Sequence, residues 1–122
     1  MGIAYADING LKWTNDNLGH KAGDELIIKF ANLLKINFKD CKTYHISGDE
    51  FIIMSLDNIR CFLSSALTFH KSLWSSTDVP LASMGYSVGK AEELDAIIED
   101  AEKTMRDDKS IFYSKFPKFR RI

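Results

Sequence analysis

The sequence predicts an α+β domain in which a mostly antiparallel central sheet is flanked by helices. Three observations lead to this prediction: apolar runs of strand length, longer segments whose apolar residues recur at helical spacing, and the order β-α-α-β-β-α-β-α along the chain. Because two helices precede a predicted hairpin, the sheet must be at least partly antiparallel, with helices packed on its faces. The expected architecture is a sandwich of the ferredoxin or polymerase-palm kind.

The strands are predicted from short runs that are apolar or that alternate between apolar and polar residues. These runs cover residues 2–8, 42–46, 50–56 and 81–88. The first run ends in Asp7, which suits a buried strand with a carboxylate at its C-terminal end. Ser47-Gly48-Asp49 joins the second and third runs as a tight hairpin, so Asp49 and Glu50 lie side by side at its tip.

The helices are predicted from apolar residues three and four positions apart. They cover residues 11–18, about 23–38, about 58–74 and 92 to about 108. In the third helix the expected buried stripe consists of Ile59, Phe62, Leu63, Ala66, Leu67, Phe69 and Leu73. The tail after Lys109 is basic and aromatic, and Pro117 disfavours a continuing helix there because proline has no amide hydrogen.

Length and composition limit the functions that the chain can have. Its 122 residues, 45% hydrophobic and 27% charged, suffice for one domain whose core needs no disulfide or metal. The 16 Lys and Arg against 17 Asp and Glu give a net charge of −1, so no overall field favours nucleic acid or a membrane surface. An anionic ligand must therefore be bound locally.

Cysteine usage and hydropathy indicate where the protein works. Cys41 and Cys61 have no CxxC spacing, which favours reduced thiols over a disulfide or a zinc site. No apolar run reaches membrane length, and no signal peptide opens the chain. We therefore expect a soluble, cytoplasmic protein, which is compatible with a larger, membrane-anchored parent.

The carboxylates at two strand ends are the first candidate site. If the first strand lies beside the hairpin, Asp7 comes close to Asp49, where like charges repel and raise each other's pKa. Such a pair suits Mg²⁺, which is often held by one or two carboxylates and completes its shell with waters and substrate phosphates. The alternative is that Asp49 only shapes a turn and Asp7 caps one.

A second candidate site surrounds the stretch "NDNLGHKAG", whose glycines allow a ligand to approach the backbone. The ionised carboxylate of Asp24 only accepts hydrogen bonds, so it fits the adjacent N1–H and N2–H donors of guanine but not the corresponding edge of adenine. Asn15 both donates and accepts, and its alternative role is that of a helix cap or a turn residue. Lys12 suits a phosphate or is simply solvated, and His20 either contacts the ligand or braces the loop.

Two long motifs, "DINGLKWTNDNLGHKAGDEL" (7–26) and "SGDEF" (47–51), together resemble the GGDEF domain family, the diguanylate cyclases that condense two GTP into cyclic di-GMP. The resemblance runs from residue 2 to about residue 109 and includes "SMGYSVG" (83–89) and "AEKTMRDDK" (101–109). It implies a nucleotidyl-cyclase-like form of the predicted fold.

The resemblance implies a metal and catalytic role for the residues at the strand ends. Asp7 matches the first metal-binding carboxylate, and the backbone carbonyl of Ile8 matches the neighbouring ligand of Mg²⁺ or Mn²⁺. Asp49 matches the carboxylate that binds metal and supports deprotonation of the attacking 3′-hydroxyl. Glu50 matches the fourth position of the signature, which we also assign to catalysis.

The resemblance also implies how GTP is bound. Asn15 and Asp24 match the guanine-reading pair, and His20 matches a histidine of the substrate pocket. Lys12 and Lys109 match phosphate-contacting lysines. Each domain holds one GTP, and two domains meet antiparallel so that each 3′-hydroxyl attacks the partner's α-phosphate, which requires a homodimer at least transiently.

Several positions depart from the family pattern near the site. Ser47 replaces the first glycine of the signature, which is a mild change. His45 stands where the family commonly has arginine, so contacts to phosphate or to the partner are expected to be weaker. Tyr113 stands where an arginine usually helps to bind phosphates, and Lys115 or Arg120 are the candidate substitutes.

Two further departures concern regulation and extent. Phe38 and Cys41 occupy the positions of the inhibitory Arg-x-x-Asp product site, so feedback inhibition through that site is expected to be absent. Family domains open with a helix before the first strand, whereas this chain begins at the strand. We therefore expect residues 1–122 to be a single truncated domain or a fragment of a larger signalling protein with a sensory or regulatory domain.

The leading hypothesis is a cytoplasmic domain that binds GTP with Mg²⁺ and forms cyclic di-GMP when dimerised, without contacting nucleic acid or membrane directly. The alternative is a GTP-binding or dimerising regulatory module without turnover. A third reading is a relic whose core packs but which binds nothing.

Overall fold

The computed structural model describes residues 1–75 and 79–119 and contains the predicted succession of strands and helices. The elements are β1 (Gly2–Ile8), α1 (Leu11–Leu18), α2 (His20–Asn37), β2 (Lys42–His45), β3 (Glu50–Ser55), α3 (Ile59–Ser75), β4 (Ala82–Val88) and α4 (Leu94–Lys115). Short 3-10 turns cover Ala91–Glu93 and Pro117–Phe119. In this part of the chain no helix is both long enough and apolar enough to cross a membrane.

The sheet has the strand order β2-β3-β1-β4, and every neighbouring pair is antiparallel. The predicted α+β class and antiparallel sheet are thus confirmed. β1 lies inside the sheet and is buried along its whole length. Its register sets Asp7 opposite Glu50 of β3 and opposite Ser83 of β4. The hairpin tip therefore lies beside the C-terminal end of β1.

Helices cover both faces of the sheet. The core on the side of α2 and α3 contains Ala4, Ala6, Ile8, Phe30, Leu34, Phe51, Ile53, Phe62, Phe69 and Met84. The core on the side of α4 contains Ile3, Tyr5, Ile97, Ala101 and Met105. Successive residues of β1 point to opposite faces, so Asp7 shares the α4 side with Tyr5 while Ile8 points to the other core.

Helix α4 lies unusually close to β4 at Gly85. A Cβ at Gly85 would overlap the Met105 amide nitrogen and the Ala101 carbonyl oxygen, so only glycine fits at this contact. Asp108 fixes the same helix on the strand edge, because its Oδ2 accepts a hydrogen bond of 3.0 Å from the Met84 amide. These contacts set the rotation of α4 and hence the direction of its side chains.

Asp108 also joins α4 to α3. Its Oδ1 accepts a hydrogen bond of 3.2 Å from Trp74 Nε1 and lies 3.1 Å from His70 Nε2. Asp108 is buried, so its charge is balanced by donors from two other elements.

Three details of the prediction are wrong. α2 begins at His20 rather than at Gly23, because Gly19 with φ 91° already supplies the break between α1 and α2. α4 continues to Lys115, since Phe112 extends its buried stripe until Pro117 ends it. Leu67 is 45% exposed, because the face of α3 that packs on the sheet passes through Phe62, Ala66, Phe69 and Leu73.

The close contact at Gly85 predicts a large stability effect. Gly85→Ala forces α4 away from the sheet and should lower the free energy of unfolding by about 1–3 kcal/mol. Urea denaturation measures the change. Gly48→Ala is the matched control, since a Cβ there meets nothing within 4 Å, and it should change the free energy by less than about 0.5 kcal/mol. Equal effects of the two substitutions would contradict this account of α4 packing.

Candidate active site

The candidate site lies where β1 ends beside the signature hairpin. The amide of Ile8 donates a hydrogen bond of 2.8 Å to the Asp49 carbonyl oxygen, which fastens the turn to the strand end. The Asp49 side chain in turn hydrogen-bonds Asp7. The structure therefore brings together Asp7 and Asp49, as the sequence predicts.

The Asp7 carboxylate has an unusual electrostatic environment. It is 8% exposed, and burial raises its pKa from 3.8 to about 6. The Lys109 ammonium, 2.7 Å from Oδ1, opposes this rise in the pKa, whereas Asp49 adds to it through repulsion and a hydrogen bond. Lys109 thus opposes the negative charge of Asp7 while Asp49 reinforces it, an environment in which a cation is favoured.

The donor set at the strand end, two carboxylates and a backbone carbonyl, has the chemistry that a hard divalent ion prefers. Lys109 Nζ contacts Asp7 Oδ1 at 2.7 Å and the Ile8 carbonyl oxygen at 3.4 Å, so one cation already touches two of the predicted metal ligands. Within residues 1–75 and 79–119, nowhere do three or more His, Cys, Asp or Glu side chains gather as a metal site. Asp7, Asp49 and the Ile8 carbonyl would therefore hold Mg²⁺ or Mn²⁺ only with waters and phosphates completing the shell.

Glu50 is held by hydrogen bonds to both of its carboxylate oxygens. Tyr5 donates to Oε2 at 2.7 Å, and Ser47 Oγ donates to Oε1 at 2.9 Å. Sequence reasoning missed Tyr5, because an aromatic residue on a buried strand looks like core. The available signal was its position two residues before Asp7, which puts both side chains on one face.

A cavity of about 390 Å³ opens between the strand ends and α4. Its lining residues are Asp7, Asp49, Glu50, Glu102, Met105, Arg106, Lys109 and Tyr113. Arg106 was not predicted from the sequence, yet its guanidinium reaches this cavity one helical turn before Lys109. Its contact with Glu102 is long, 3.9 Å, and exposed, so it holds the guanidinium weakly. Tyr113 stands where the family resemblance implies an arginine, and it offers a neutral ring whose centroid lies 5.6 Å from Lys109 Nζ.

A second cavity of about 380 Å³ adjoins the first, and Asp49 lines both. Its other lining residues are Leu11, Lys12, Asn15, Asp16, His20 and Gly48. The structure thus gathers the predicted Lys12, Asn15 and His20 around one space. Lys12 Nζ lies 3.1 Å from the exposed Asp16 carboxylate, a weak surface pair.

Asp24 stands at the margin of this second cavity. It is exposed on α2 and is not one of the lining residues. Its neighbour Gly23 lies directly against the Asn15 side chain, because a Cβ at Gly23 would overlap Asn15 Oδ1. The glycine therefore brings Asn15 next to the segment that carries Asp24.

The positions that depart from the family pattern have structural partners. The His45 ring stacks on Phe51 with centroids 4.4 Å apart, and His45 Nε2 lies 3.1 Å from the Gly48 carbonyl oxygen, so His45 braces the hairpin. Lys115 Nζ lies 5.3 Å from the Trp74 ring centroid. Arg120 lies outside the described residues. Of the two candidate substitutes for the missing arginine, Lys115 does not line the first cavity.

The positions of the product-inhibition pattern lie elsewhere. Phe38 is 2% exposed and packs against Phe69 with ring centroids 5.7 Å apart. With Cys41 it lines a separate cavity of about 200 Å³. Burial raises the pKa of the Cys41 thiol. A buried phenyl ring cannot supply the charge of arginine, so the absence of feedback inhibition stays a prediction with a physical reason.

Comparison with curated proteins identifies relatives of the chain. It matches the family described as "Diguanylate cyclase, GGDEF domain" over residues 1–111. It is 27% identical over 122 residues to diguanylate cyclase DgcS of Shewanella oneidensis, which covers 90% of this chain and 39% of DgcS. It is 33% identical over 64 residues to diguanylate cyclase DgcP of Escherichia coli, which covers 52% of this chain and 19% of DgcP. The chain thus spans less than half the length of these relatives.

Solved structures share the fold. The active GGEEF domain of a diguanylate cyclase from Vibrio cholerae matches with a TM-score of 0.73 and 19% identity, covering 89% of this chain and 76% of that chain. The GGDEF domain of DgcB from Caulobacter crescentus, solved in complex with c-di-GMP, matches with a TM-score of 0.72 and 19% identity, covering 89% and 71%.

The antiparallel sheet, its flanking helices and these neighbours define a palm-like cyclase fold. The match over residues 1–111 then places the chain within that class: it belongs to the GGDEF domain family of diguanylate cyclases. The family predicted from the two motifs is confirmed.

The raised pKa of Asp7 makes folding stability depend on pH with a definite sign. The folded chain holds this proton more tightly than the unfolded chain, so the contribution of Asp7 to the free energy of unfolding is full below pH 3.8 and is lost as the pH rises through about 6. Between pH 4 and 7, the native protein should lose on the order of 1–3 kcal/mol relative to Asp7→Asn.

Urea unfolding of both proteins in EDTA measures this difference at each pH. Asp57→Asn is the control, because this exposed carboxylate follows the opposite end of β3. The difference in the free energy of unfolding between the native protein and Asp57→Asn should not change with pH in the way that the Asp7→Asn difference does. A pH-independent difference between the native protein and Asp7→Asn would show that the pKa of Asp7 is not raised.

Proposed function

We propose that this chain binds GTP with Mg²⁺ or Mn²⁺ and, as a homodimer formed at least transiently, condenses two GTP into cyclic di-GMP. The observation that carries the proposal is the place where the Lys109 ammonium contacts both Asp7 and the Ile8 carbonyl oxygen. Asp49 lies beside this place and lines both cavities. One cavity offers ammonium and guanidinium groups for phosphates, and the other offers amide and imidazole groups for a base.

The residues divide the substrate into two parts. Lys109 and Arg106 line the first cavity and would neutralise phosphate oxygens. Asn15 and His20 line the second cavity and would contact guanine, with Asp24 accepting hydrogen bonds from N1–H and N2–H. Asp49 lies between these groups. A triphosphate and its base would therefore extend away from Asp49 in two directions.

The chemical step transfers a nucleotidyl group. The 3′-oxygen of one GTP forms a bond to the α-phosphorus of the GTP on the partner domain, and the bond from that phosphorus to pyrophosphate breaks. Asp49 accepts the hydroxyl proton. Asp7, the Ile8 carbonyl and Asp49 would hold a divalent ion, which would polarise the phosphoryl group and lower the pKa of the hydroxyl. Two such transfers close the ring and release two pyrophosphates.

The dimer follows from this division of labour. Each chain has one set of these residues, and the 3′-hydroxyl of a bound GTP must reach a phosphate held by another chain. We expect the reaction to take place in the cytoplasm, where GTP is available, under the control of a sensory or regulatory domain of the parent protein.

A regulatory module that binds GTP without turnover is the second candidate. Tyr113 favours it, because a neutral ring lines the phosphate cavity at the position where the family resemblance implies an arginine. Lys109 also favours it, since the Asp7 carboxylate, 2.7 Å away, already balances part of the ammonium charge that would face a phosphate.

Turnover is tested with purified protein, GTP and Mg²⁺. Native protein should form cyclic di-GMP, and Asp49→Asn should lower the rate by roughly 10²- to 10⁴-fold because the hydroxyl proton loses its acceptor. Asp57→Asn is again the matched control and should leave the rate unchanged. Chromatography of the nucleotide products measures the rate.

The outcome separates the two candidates. If GTP binds but no cyclic di-GMP forms even when the domain is fused to a dimeric coiled coil, the cyclase proposal is wrong and the regulatory module stands. If no guanine nucleotide binds, both are wrong.

Guanine recognition is tested at Asp24. Asp24→Ala removes the acceptor for two donors and should weaken GTP binding by roughly 10- to 100-fold while ATP binding changes little. Glu25→Ala, which removes the adjacent exposed carboxylate of α2, is the control. Titration calorimetry with both nucleotides measures the selectivity. Unchanged discrimination between GTP and ATP would refute the guanine-reading role of Asp24.

A further inference from the structure

The Glu50 side chain connects the signature turn to the central strand. One oxygen accepts a hydrogen bond from the Tyr5 hydroxyl of β1 at 2.7 Å, and the other accepts one from the Ser47 hydroxyl of the turn at 2.9 Å. The two donors belong to different parts of the chain. A single carboxylate therefore ties the turn to β1 at the place where Asp49 meets Asp7.

Tyr5 is built into the sheet as a donor. It is 6% exposed, and the register of β1 against β3 makes Tyr5 and Glu50 diagonal neighbours on one face. A buried phenol needs a hydrogen-bond partner, which Glu50 provides. Burial, together with Glu50 and then Glu102, raises the pKa of Tyr5, so the hydroxyl keeps the proton that it donates.

Ser47 adds a contact that the glycine of the family signature does not have. The turn already contains backbone hydrogen bonds from the Ile46 amide to the Glu50 carbonyl oxygen at 3.0 Å and from the Glu50 amide to the Ser47 carbonyl oxygen at 3.2 Å. The Ser47 hydroxyl supplements them with a bond to the side chain of Glu50. Glycine in this position would leave that carboxylate oxygen to water.

We propose that Tyr5 and Ser47 are positioning residues that act through Glu50 to fix the turn and hold Asp49 against Asp7. Ser47, in the first signature position, then contributes to this site because its hydroxyl and that of Tyr5 on β1 both bind Glu50. Restoring glycine at position 47 should loosen the turn. We call the two hydrogen bonds from Tyr5 and Ser47 to Glu50 the clamp. Its effect on GTP binding rests on the proposed function, whereas its effect on the turn does not.

The clamp is tested first without nucleotide, by amide hydrogen exchange at Ile46 and Glu50. Tyr5→Phe and Ser47→Ala each remove one donor hydroxyl and should speed exchange of these amides about three- to tenfold. Ser47→Thr keeps the hydroxyl and should exchange as the native protein does. Tyr44→Phe, which removes an exposed hydroxyl on β2, is the matched control.

Either of two results overturns the clamp. Native exchange rates in Tyr5→Phe and Ser47→Ala would show that the two bonds do not hold the turn. Equal acceleration in Ser47→Thr and Ser47→Ala would show that the hydroxyl is not the cause.

The positioning role is tested by titrating GTP in Mg²⁺ and in EDTA. Tyr5→Phe, Ser47→Ala and Ser47→Gly should each reduce the gain in affinity that Mg²⁺ provides about three- to tenfold, with affinity in EDTA unchanged. Equal losses in both buffers would indicate a merely structural role and overturn the positioning of Asp49. If the native protein binds no GTP, the proposed function fails, and the exchange rates alone decide whether the clamp exists.

Discussion

The antiparallel register of β1 against β3 is the constraint on which the site depends. Each side chain of β1 points to the face opposite that of the next, and helices bury both faces, so the register decides which residues reach α4 and which reach α2 and α3. A shift of one residue would turn Asp7 into the core around Phe30 and Phe51, where a carboxylate has no partner. Apolar packing on two faces therefore enforces the position of a polar group.

The same register concentrates charge that the fold only partly neutralises. Asp7 and Asp49 lie together, and α4 brings the Lys109 ammonium to Asp7. Burial makes this group of charges costly, and the contacts of Gly85 and Asp108 help to hold α4, and with it Lys109, in place on β4. Packing of α4 on β4 thus sets the electrostatics at the end of β1.

The sequence is sufficient to predict the elements and the meeting of the two strand ends. The spacing of apolar residues differs clearly between strands and helices in this chain. The Ser-Gly turn is short, so β2 and β3 must pair antiparallel. Proximity of Asp7 to the hairpin follows because a carboxylate at each strand end reaches the same sheet edge. The end of α4 does not follow from the sequence, because the basic and aromatic residues after Lys109 are typical of an irregular tail. Only the burial of Phe112 in the structure shows that the helix continues.

The periodicity of the sequence does not predict which side chains contact each other. A tyrosine on a buried strand gives no sign of whether its hydroxyl meets Glu50, and an arginine on an exposed helix face gives no sign that Arg106 reaches a cavity. Lys109 could be placed on α4 from the sequence, but its choice of Asp7 as a partner depends on the helix rotation. Such pairings depend on distances of a few ångströms that periodicity does not encode.

The contact between Asp108 and β4 also protects the domain from self-association through its sheet. β4 and β2 are the outer strands, and an outer strand with unpaired amides is a template for the strand of another molecule. Asp108 occupies the Met84 amide at one edge, and at the other edge β2 is short and begins with the exposed Lys42. Intermolecular β-pairing is thus disfavoured at each edge by different means, a buried carboxylate on one amide of β4 and an exposed ammonium on the short β2.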